Sequence, residues 1–240
     1  MEHHIVSSYD DELKFILRRI SEMGGQAERM VEQAVSALIR SDWGLAQSVV
    51  ADDILLDTLQ REVDERAVMT IGKRQPMAQD LREIVGAIRI SSDLERIGDL
   101  GKNIAKRVIA VNDHKQPVQL VRGIEHMSEL ALEQLKNVLD VYATRDAVRA
   151  LEIRANDAEI DALYTSLFRE LLTYMMEDPR NITACTHLLF SAKNIERIGD
   201  HATNIAETVY YIKTGSQMEA ERPKSDSTPS IAAPVPSVNG

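Results

Sequence analysis

Apolar residues recur at every third or fourth position along most of this chain, with polar residues between them. In the first such segment Leu13, Ile16, Ile20 and Met23 fall on one side at 100° per residue, which is the spacing of an amphipathic helix. Turn and capping residues interrupt the pattern at five places. It therefore predicts six helices, with breaks at Arg40–Asp42, Gly72–Pro76, Pro117, Ala143–Asp146 and Asp178–Pro179.

Local signals predict where these helices begin and end. The first is expected to start at Ser7 or Ser8, after a flexible leader over residues 1–6. Asp42 is a suitable N-cap and Gly72 a suitable C-cap for the second helix, and Pro76 suits the first turn of the third. The last helix is expected to end near residues 214–215. Residues 216–240 are rich in Ser, Pro and Ala without periodicity, which predicts a disordered tail.

A fourteen-residue stretch occurs twice, as DLERIGDLGKNIAK from Asp93 to Lys106 and as NIERIGDHATNIAE from Asn194 to Glu207. The copies are identical at eight positions and lie 101 residues apart. An internal repeat of this kind predicts two similar halves. The expected fold is all-α, with two tandem three-helix bundles over residues 7–114 and 115–215 that are related by a pseudo-twofold repeat.

Each copy of the repeat carries two carboxylates four residues apart, which project together from one helix face, opposite its apolar stripe. Two like charges at this spacing cost a helix about 0.2–0.5 kcal/mol, and an oxygen-binding cation would offset that cost. The second and fifth predicted helices carry aspartate pairs with the same spacing and a matching distance from the intervening turn. Each half could therefore hold a four-carboxylate patch, the first carboxylate patch being Asp53, Asp57, Glu95 and Asp99 and the second being Asp157, Asp161, Glu196 and Asp200. A solvated acidic face screened by Arg96 and Arg197 is the alternative.

Composition and charge narrow the possible functions. Aromatic residues make up only 4% of the chain and there are 11 glycines, which suits long helices packed on one another. The net charge of −10 argues against a nucleic-acid partner and favours cations or basic protein surfaces. Cys185 is the single cysteine, so an internal disulfide and a thiolate metal cage are excluded. No apolar run approaches the length of a membrane span, which favours a soluble cytoplasmic protein.

The duplicated unit, both ERIGD motifs and the QPMAQDLR segment from Gln75 to Arg82 resemble the PhoU family of regulators of bacterial phosphate uptake. The resemblance covers residues 7 to 214. It implies a protein that dimerises and binds multinuclear iron or zinc through the two carboxylate patches, with Asn103 and Asn204 matching the asparagine that follows in the motif.

The resemblance also implies a negative regulator of the phosphate regulon. Such a protein would associate with the phosphate ABC transporter, through its ATPase or permease, and with a membrane sensor histidine kinase. It would reach the inner membrane only through these partners. His201 stands where the first motif copy has Leu100, so the two sites need not have equal metal affinity.

Other functions fit the sequence less well. A di-iron oxidase would need Glu-x-x-His motifs, whereas Gly98 and Gly199 stand three residues after the motif glutamates. Recognisable phosphate loops, zinc-protease motifs and nucleophile–histidine sets are also missing from the sequence, so we expect no enzymatic activity. A metal-storage or metal-buffering protein is the remaining alternative to a regulator. His201 is the histidine nearest to a predicted site.

Overall fold

The computed structural model describes residues 2–111 and 118–218, with side chains over 9–111 and 120–218. Within these ranges the chain forms α-helices and a short 3-10 turn, and no strand. None of the described helices is both long and apolar enough to cross a membrane. The elements are α1 (Glu2–Arg40), α2 (Trp43–Arg74), α3 (Gln79–Ala110), α4 (Val118–Thr144), α5 (Ala147–Glu177), the 3-10 turn (Pro179–Asn181) and α6 (Ile182–Thr214).

The prediction of an all-α protein built from two three-helix units is confirmed. Helices α1, α2 and α3 pack on one another, as do α4, α5 and α6. The units join where α3 packs on α6 and α1 packs on α4, so one hydrophobic core runs through both. The helices that carry the repeated motif, α3 and α6, therefore lie at the centre, while α2 and α5 flank them on the outside.

The predicted helix ends are partly correct. The Asp42 carboxylate accepts a hydrogen bond from the backbone N–H of Leu45 at 2.9 Å, which confirms the N-cap of α2. The C-cap prediction for Gly72 is wrong, because α2 continues through it to Arg74 and its C-cap is Gln75, which adopts a left-handed conformation with φ 49°. Pro76 explains this end, since a residue before proline is disfavoured in the right-handed helical region. Pro76 itself lies in the link before α3, so its predicted first-turn position is also wrong.

The predicted start of α1 differs from the structure, whereas the predicted end of α6 is close to it. Helix α1 begins at Glu2, so the predicted start at Ser7 or Ser8 is wrong, and residues 2–6 of the expected leader are helical. Gly215 ends α6 in the left-handed region at φ 78°, close to the predicted end. The break at Pro117, the boundary between residues 114 and 115, and the tail over residues 219–240 lie outside the described residues.

The motif glycines allow the flanking helices to approach closely. A Cβ added at Gly98 would overlap the side chain of Leu56 on α2, and one added at Gly101 would lie 3.4 Å from the α1 backbone. In the second half, a Cβ added at Gly199 would lie 3.0 Å from Oδ1 of Asp157 on α5. These close contacts set the spacing at which carboxylates of neighbouring helices face each other.

Candidate functional site

The first carboxylate patch lies where α2 packs against α3, and a lysine bridges the two helices there. The Nζ atom of Lys102 is 2.5 Å from Oδ2 of Asp53 on α2 and 2.6 Å from Oδ1 of Asp99 on α3. Burial by itself lowers the pKa of Lys102, but hydrogen bonds to both aspartates outweigh it and raise that pKa to about 12. Lys102 is therefore a firmly charged counter-ion inside the patch.

The other carboxylates of the first patch affect the pKa of Glu95. Burial raises its pKa above the ordinary value, and the negative charge of Asp99 adds to this effect. The negative charges of Asp57 and Asp53 act in the same direction, while the guanidinium of Arg96 opposes them. Asp53, Asp57 and Asp99 thus lie close enough to Glu95 to raise its pKa, although the four carboxylates are not arranged around one metal position.

The second carboxylate patch lies between α5 and α6 and is more deeply buried. Asp157, Asp161 and Glu196 are only 2%, 3% and 5% exposed. Lys193 donates a hydrogen bond to Oε1 of Glu196 at 2.8 Å, whereas the buried Oε2 of Glu196 has no hydrogen-bond partner among the described residues. Burial raises the pKa of Glu196, the bond from Lys193 opposes that shift, and the charges of Asp200 and Asp161 reinforce it.

The burial of the second patch corrects one expectation. The sequence placed the carboxylates of both motif copies on a helix face opposite the apolar stripe. This does not expose Glu196, because α6 packs against α3, α4 and α5 and has more than one covered face. In the first patch the four carboxylates are half-buried, so the expectation is only partly met there.

The motif asparagines occupy different environments. Asn103 is exposed on α3. The amide of Asn204 donates a hydrogen bond to Oδ1 of Asp93 at 3.4 Å, and Nδ1 of His201 lies 2.9 Å from the same oxygen. These contacts tie α6 to α3, so Asn204 and His201 help to hold the two halves together. A role as metal ligand for either asparagine stays a prediction.

Sequence reasoning missed four residues that shape the patches. Lys102 stands three residues after Asp99, and Lys193 stands three before Glu196, a spacing at which helical residues of opposite charge pair. That spacing was a usable signal. Buried Gln134 of α4 donates to Oγ1 of Thr203 at 3.0 Å and to Asp157 at 3.4 Å, a contact that local sequence could not reveal.

The carboxylate oxygens of both patches are suitable donors for a metal ion, although they are not arranged around one position that a metal ion could occupy. Carboxylate oxygens are accepted by hard cations and by borderline metals such as iron and zinc. Across residues 9–111 and 120–218, no group of three His, Cys, Asp or Glu side chains is arranged to hold a metal ion. The buried Oε2 of Glu196, which lacks a hydrogen-bond partner there, is the feature that fits a cation best.

Comparisons with known proteins agree across nearly the whole chain. A family model described as the PhoU domain matches twice, over residues 20–108 and 124–209. A protein of Rhizobium meliloti named phosphate-specific transport system accessory protein PhoU homolog is 65% identical over 234 residues, which cover 97% of this chain and 99% of that protein. A protein of the same name from Caulobacter vibrioides is 50% identical over 226 residues, covering 94% and 98% respectively.

Two crystal structures are similar to this fold. PhoU from Pseudomonas aeruginosa superposes with a TM-score of 0.84 at 38% identity, covering 87% of this chain and 100% of that one. The phosphate transport system regulatory protein PhoU from Streptococcus pneumoniae gives a TM-score of 0.81 at 25% identity, with coverages of 88% and 100%.

Proposed function

The chain belongs to the PhoU family, and we propose that it is a non-enzymatic regulatory accessory protein of phosphate transport. The observation that carries this proposal is the 65% identity, over nearly the full length of both chains, to a protein named as an accessory of the phosphate-specific transport system. Similarity over both halves supports a shared role of the whole molecule, since a single shared domain would cover only part of each chain.

In finer terms, we propose that it acts as a cytoplasmic adaptor and negative regulator of the phosphate regulon. It would contact the phosphate ABC transporter, through its ATPase or permease, and a sensor histidine kinase, so that signalling is off when phosphate is plentiful. The net charge of −10 supports docking on basic partner surfaces.

A homodimer is part of the same proposal. Large apolar side chains are exposed along the outer helix α2, where Trp43 is 44%, Leu55 48% and Ile54 70% exposed. Such side chains favour contact with another protein surface. Sedimentation of the purified protein over a range of concentrations tests this part independently of regulation.

We further propose that iron or zinc binds at the carboxylate patches and stabilises a docking surface. Asp53, Asp57, Glu95 and Asp99 would hold metal in the first half, and the matching residues Asp157, Asp161, Glu196 and Asp200 would hold it in the second. A bound metal would neutralise clustered negative charge and cross-link each flanking helix to its motif helix. The raised pKa of Glu95 and of Glu196 supports this view, because each carboxyl lies in surroundings that disfavour its bare charge.

The test uses a phosphate-regulated reporter in a deletion strain. We expect constitutive expression in the deletion, repression restored by the wild-type gene, and loss of repression with Asp99→Ala combined with Asp200→Ala. The control is Asp52→Ala with Glu152→Ala, which removes two exposed carboxylates outside the patches and changes net charge equally. All protein levels are compared by immunoblot. A reporter that responds normally to phosphate in the deletion strain would remove the regulatory assignment.

A metal-storage or metal-buffering protein is the second candidate, favoured by the deeply buried carboxylate of Glu196, whose Oε2 lacks a hydrogen-bond partner among the described residues. It predicts that deletion changes tolerance to excess metal while phosphate-responsive expression stays intact. Growth of the deletion strain in graded iron and zinc therefore separates the two functions.

A further inference from the structure

One row of side chains runs along the outer face of α2, and its members are spaced alternately by four and three residues. All of them are exposed, and nothing covers them in the part of the chain that the structure describes. We call this the outer row; it comprises Gln47, Ala51, Ile54, Thr58, Arg61, Glu65, Val68 and Gly72. Its large apolar members, Ile54 and Val68, are 70% and 65% exposed. The spacing is the one at which a helix packs lengthwise against another helix.

A groove between α1 and α2 lies beside the outer row. Its volume is about 450 Å³, and the side chains that line it include Leu55 and Leu59 of α2. Leu55 is also exposed to solvent, as is Met69 on the same side of α2. The outer row and the groove together form a surface with room for apolar side chains of a second helix.

The charges of the outer row favour a second copy of the same helix as the partner. Arg61 and Glu65 are neighbours in the row, and neither forms an ion pair with another described side chain. In an antiparallel pair of identical helices, a residue before the centre of contact faces one that follows it. With the centre at residue 63, Arg61 of each copy faces Glu65 of the other. The contact then contains two ion pairs of opposite charge.

We propose that two copies of the chain associate through the outer row of α2, with the two helices antiparallel and centred at residue 63. The proposal rests on the homodimer that forms part of the proposed function, and it specifies the surface and the register. In this register Thr58 of each copy faces Val68 of the other. Leu55 lies on the same side of the pair as Met69 of the other copy, so these apolar side chains meet beside the groove.

Charge distinguishes this register from its neighbours. A shift of seven residues is the smallest that keeps the outer row facing itself. In one direction the shift places Arg61 opposite Thr58 and moves Glu65 opposite the apolar Ile54. The shift in the other direction also places both charges opposite uncharged residues. Either shift covers charged groups without pairing them, which is unfavourable.

Charge reversal tests the proposal on the full-length protein by sedimentation equilibrium. Arg61→Glu places glutamates opposite each other at both ion pairs, and Glu65→Arg places arginines opposite each other. The matched controls are Arg169→Glu and Glu159→Arg, because both residues are exposed on α5, the other outer helix, and the charge changes are the same. Circular dichroism confirms that each variant is folded before it is compared.

We expect either reversal on α2 to raise the Kd of the dimer by roughly tenfold or more, since facing like charges are strongly unfavourable at an interface. Both α5 controls are expected to dimerise like wild type. Arg61→Glu combined with Glu65→Arg in one chain is expected to restore the dimer. An equimolar mixture of the two single variants is also expected to dimerise, because each then faces the opposite charge.

Disulfide trapping tests the register. Thr58→Cys with Val68→Cys is expected to form a covalent dimer on oxidation, because these positions face each other across the contact. On one helix they lie about 15 Å apart, too far to bridge within a chain. Ala51→Cys with Val68→Cys is the control, since these positions face each other only after a shift of seven residues. The native Cys185 is buried and is common to all variants.

Reversal variants that dimerise like wild type would overturn the proposal, as would a covalent dimer that forms more readily in the Ala51→Cys control. The protein would then dimerise through another surface or in another register, and the homodimer itself would stand. A wild-type protein that is monomeric at every concentration would overturn the interface and the homodimer together. The regulatory role is judged separately by the phosphate reporter, so these failures are distinguishable.

Discussion

Replacement of Gly98 by alanine tests whether the motif glycine sets the distance between α2 and α3. A Cβ at this position overlaps Cδ2 of Leu56, which is only 1% exposed and so has no solvent-facing position to move into. Overpacking a core of this kind costs about 1–3 kcal/mol, whereas exchanging glycine for alanine inside a helix returns about 1 kcal/mol. We expect a net loss of up to about 2 kcal/mol in the free energy of unfolding.

Gly72 provides the matched control, because it lies inside α2 with no neighbouring atom within 4 Å of an added Cβ. Gly72→Ala gains helix propensity without a clash, so it is expected to stabilise the protein by about 0.5–1 kcal/mol. The same substitution at two helical glycines should therefore change the free energy of unfolding in opposite directions. For a protein of this size each kcal/mol corresponds to about 2–4 °C in melting temperature.

Urea denaturation followed by circular dichroism measures both variants, and a double-mutant cycle identifies the cause. Leu56→Ala removes the side chain that the new Cβ would meet, at a cost of about 2–5 kcal/mol by itself. In that background Gly98→Ala is expected to become neutral or stabilising. A Gly98→Ala protein as stable as Gly72→Ala, or an equal loss with and without Leu56, would refute the proposed close contact.

Two further predictions concern charged groups outside the patches. Burial raises the pKa of Asp64 above its ordinary value of 3.8, so the folded state holds the proton more tightly and stability falls as pH rises through that region. Asp64→Asn is therefore expected to be more stable than wild type in urea at pH 7, and this difference in stability is expected to vanish below about pH 3.8. An equal difference at pH 7 and below pH 3.8 would contradict the prediction. Glu83 accepts hydrogen bonds from Arg145 at 2.7 to 3.1 Å and so ties α3 to the α4–α5 turn. Glu83→Ala is expected to lower the free energy of unfolding by about 1.5–3 kcal/mol in the same assay. Glu152→Ala, which removes an exposed carboxylate, is the control, and a loss no larger than that of the control would show that this ion pair contributes little.

Periodicity and the internal repeat were sufficient to predict the helices, because each helix buries a continuous stripe and the breaks carry strong turn residues. Asp42 was predicted correctly as an N-cap because the capping hydrogen bond is local. The end of α2 was not predicted correctly, since glycine at position 72 permits a helix to end there but does not require it. The constraint imposed by Pro76 on Gln75 decides where α2 ends, one turn closer to α3.

The charge balance of the two patches depends on tertiary contacts and could not be predicted from the motif. A helical wheel of α6 shows one apolar stripe, but a helix at the centre of the fold is covered by three neighbours, and Glu196 lies on one of the additional covered faces. Motif identity predicts the position of a carboxylate along its helix. The flanking residues decide whether that carboxylate is neutralised from within, as Asp99 is by Lys102, or keeps an unsatisfied oxygen, as Glu196 does. A duplicated motif can thus give two patches that differ in burial and in the side chains that neutralise their charge.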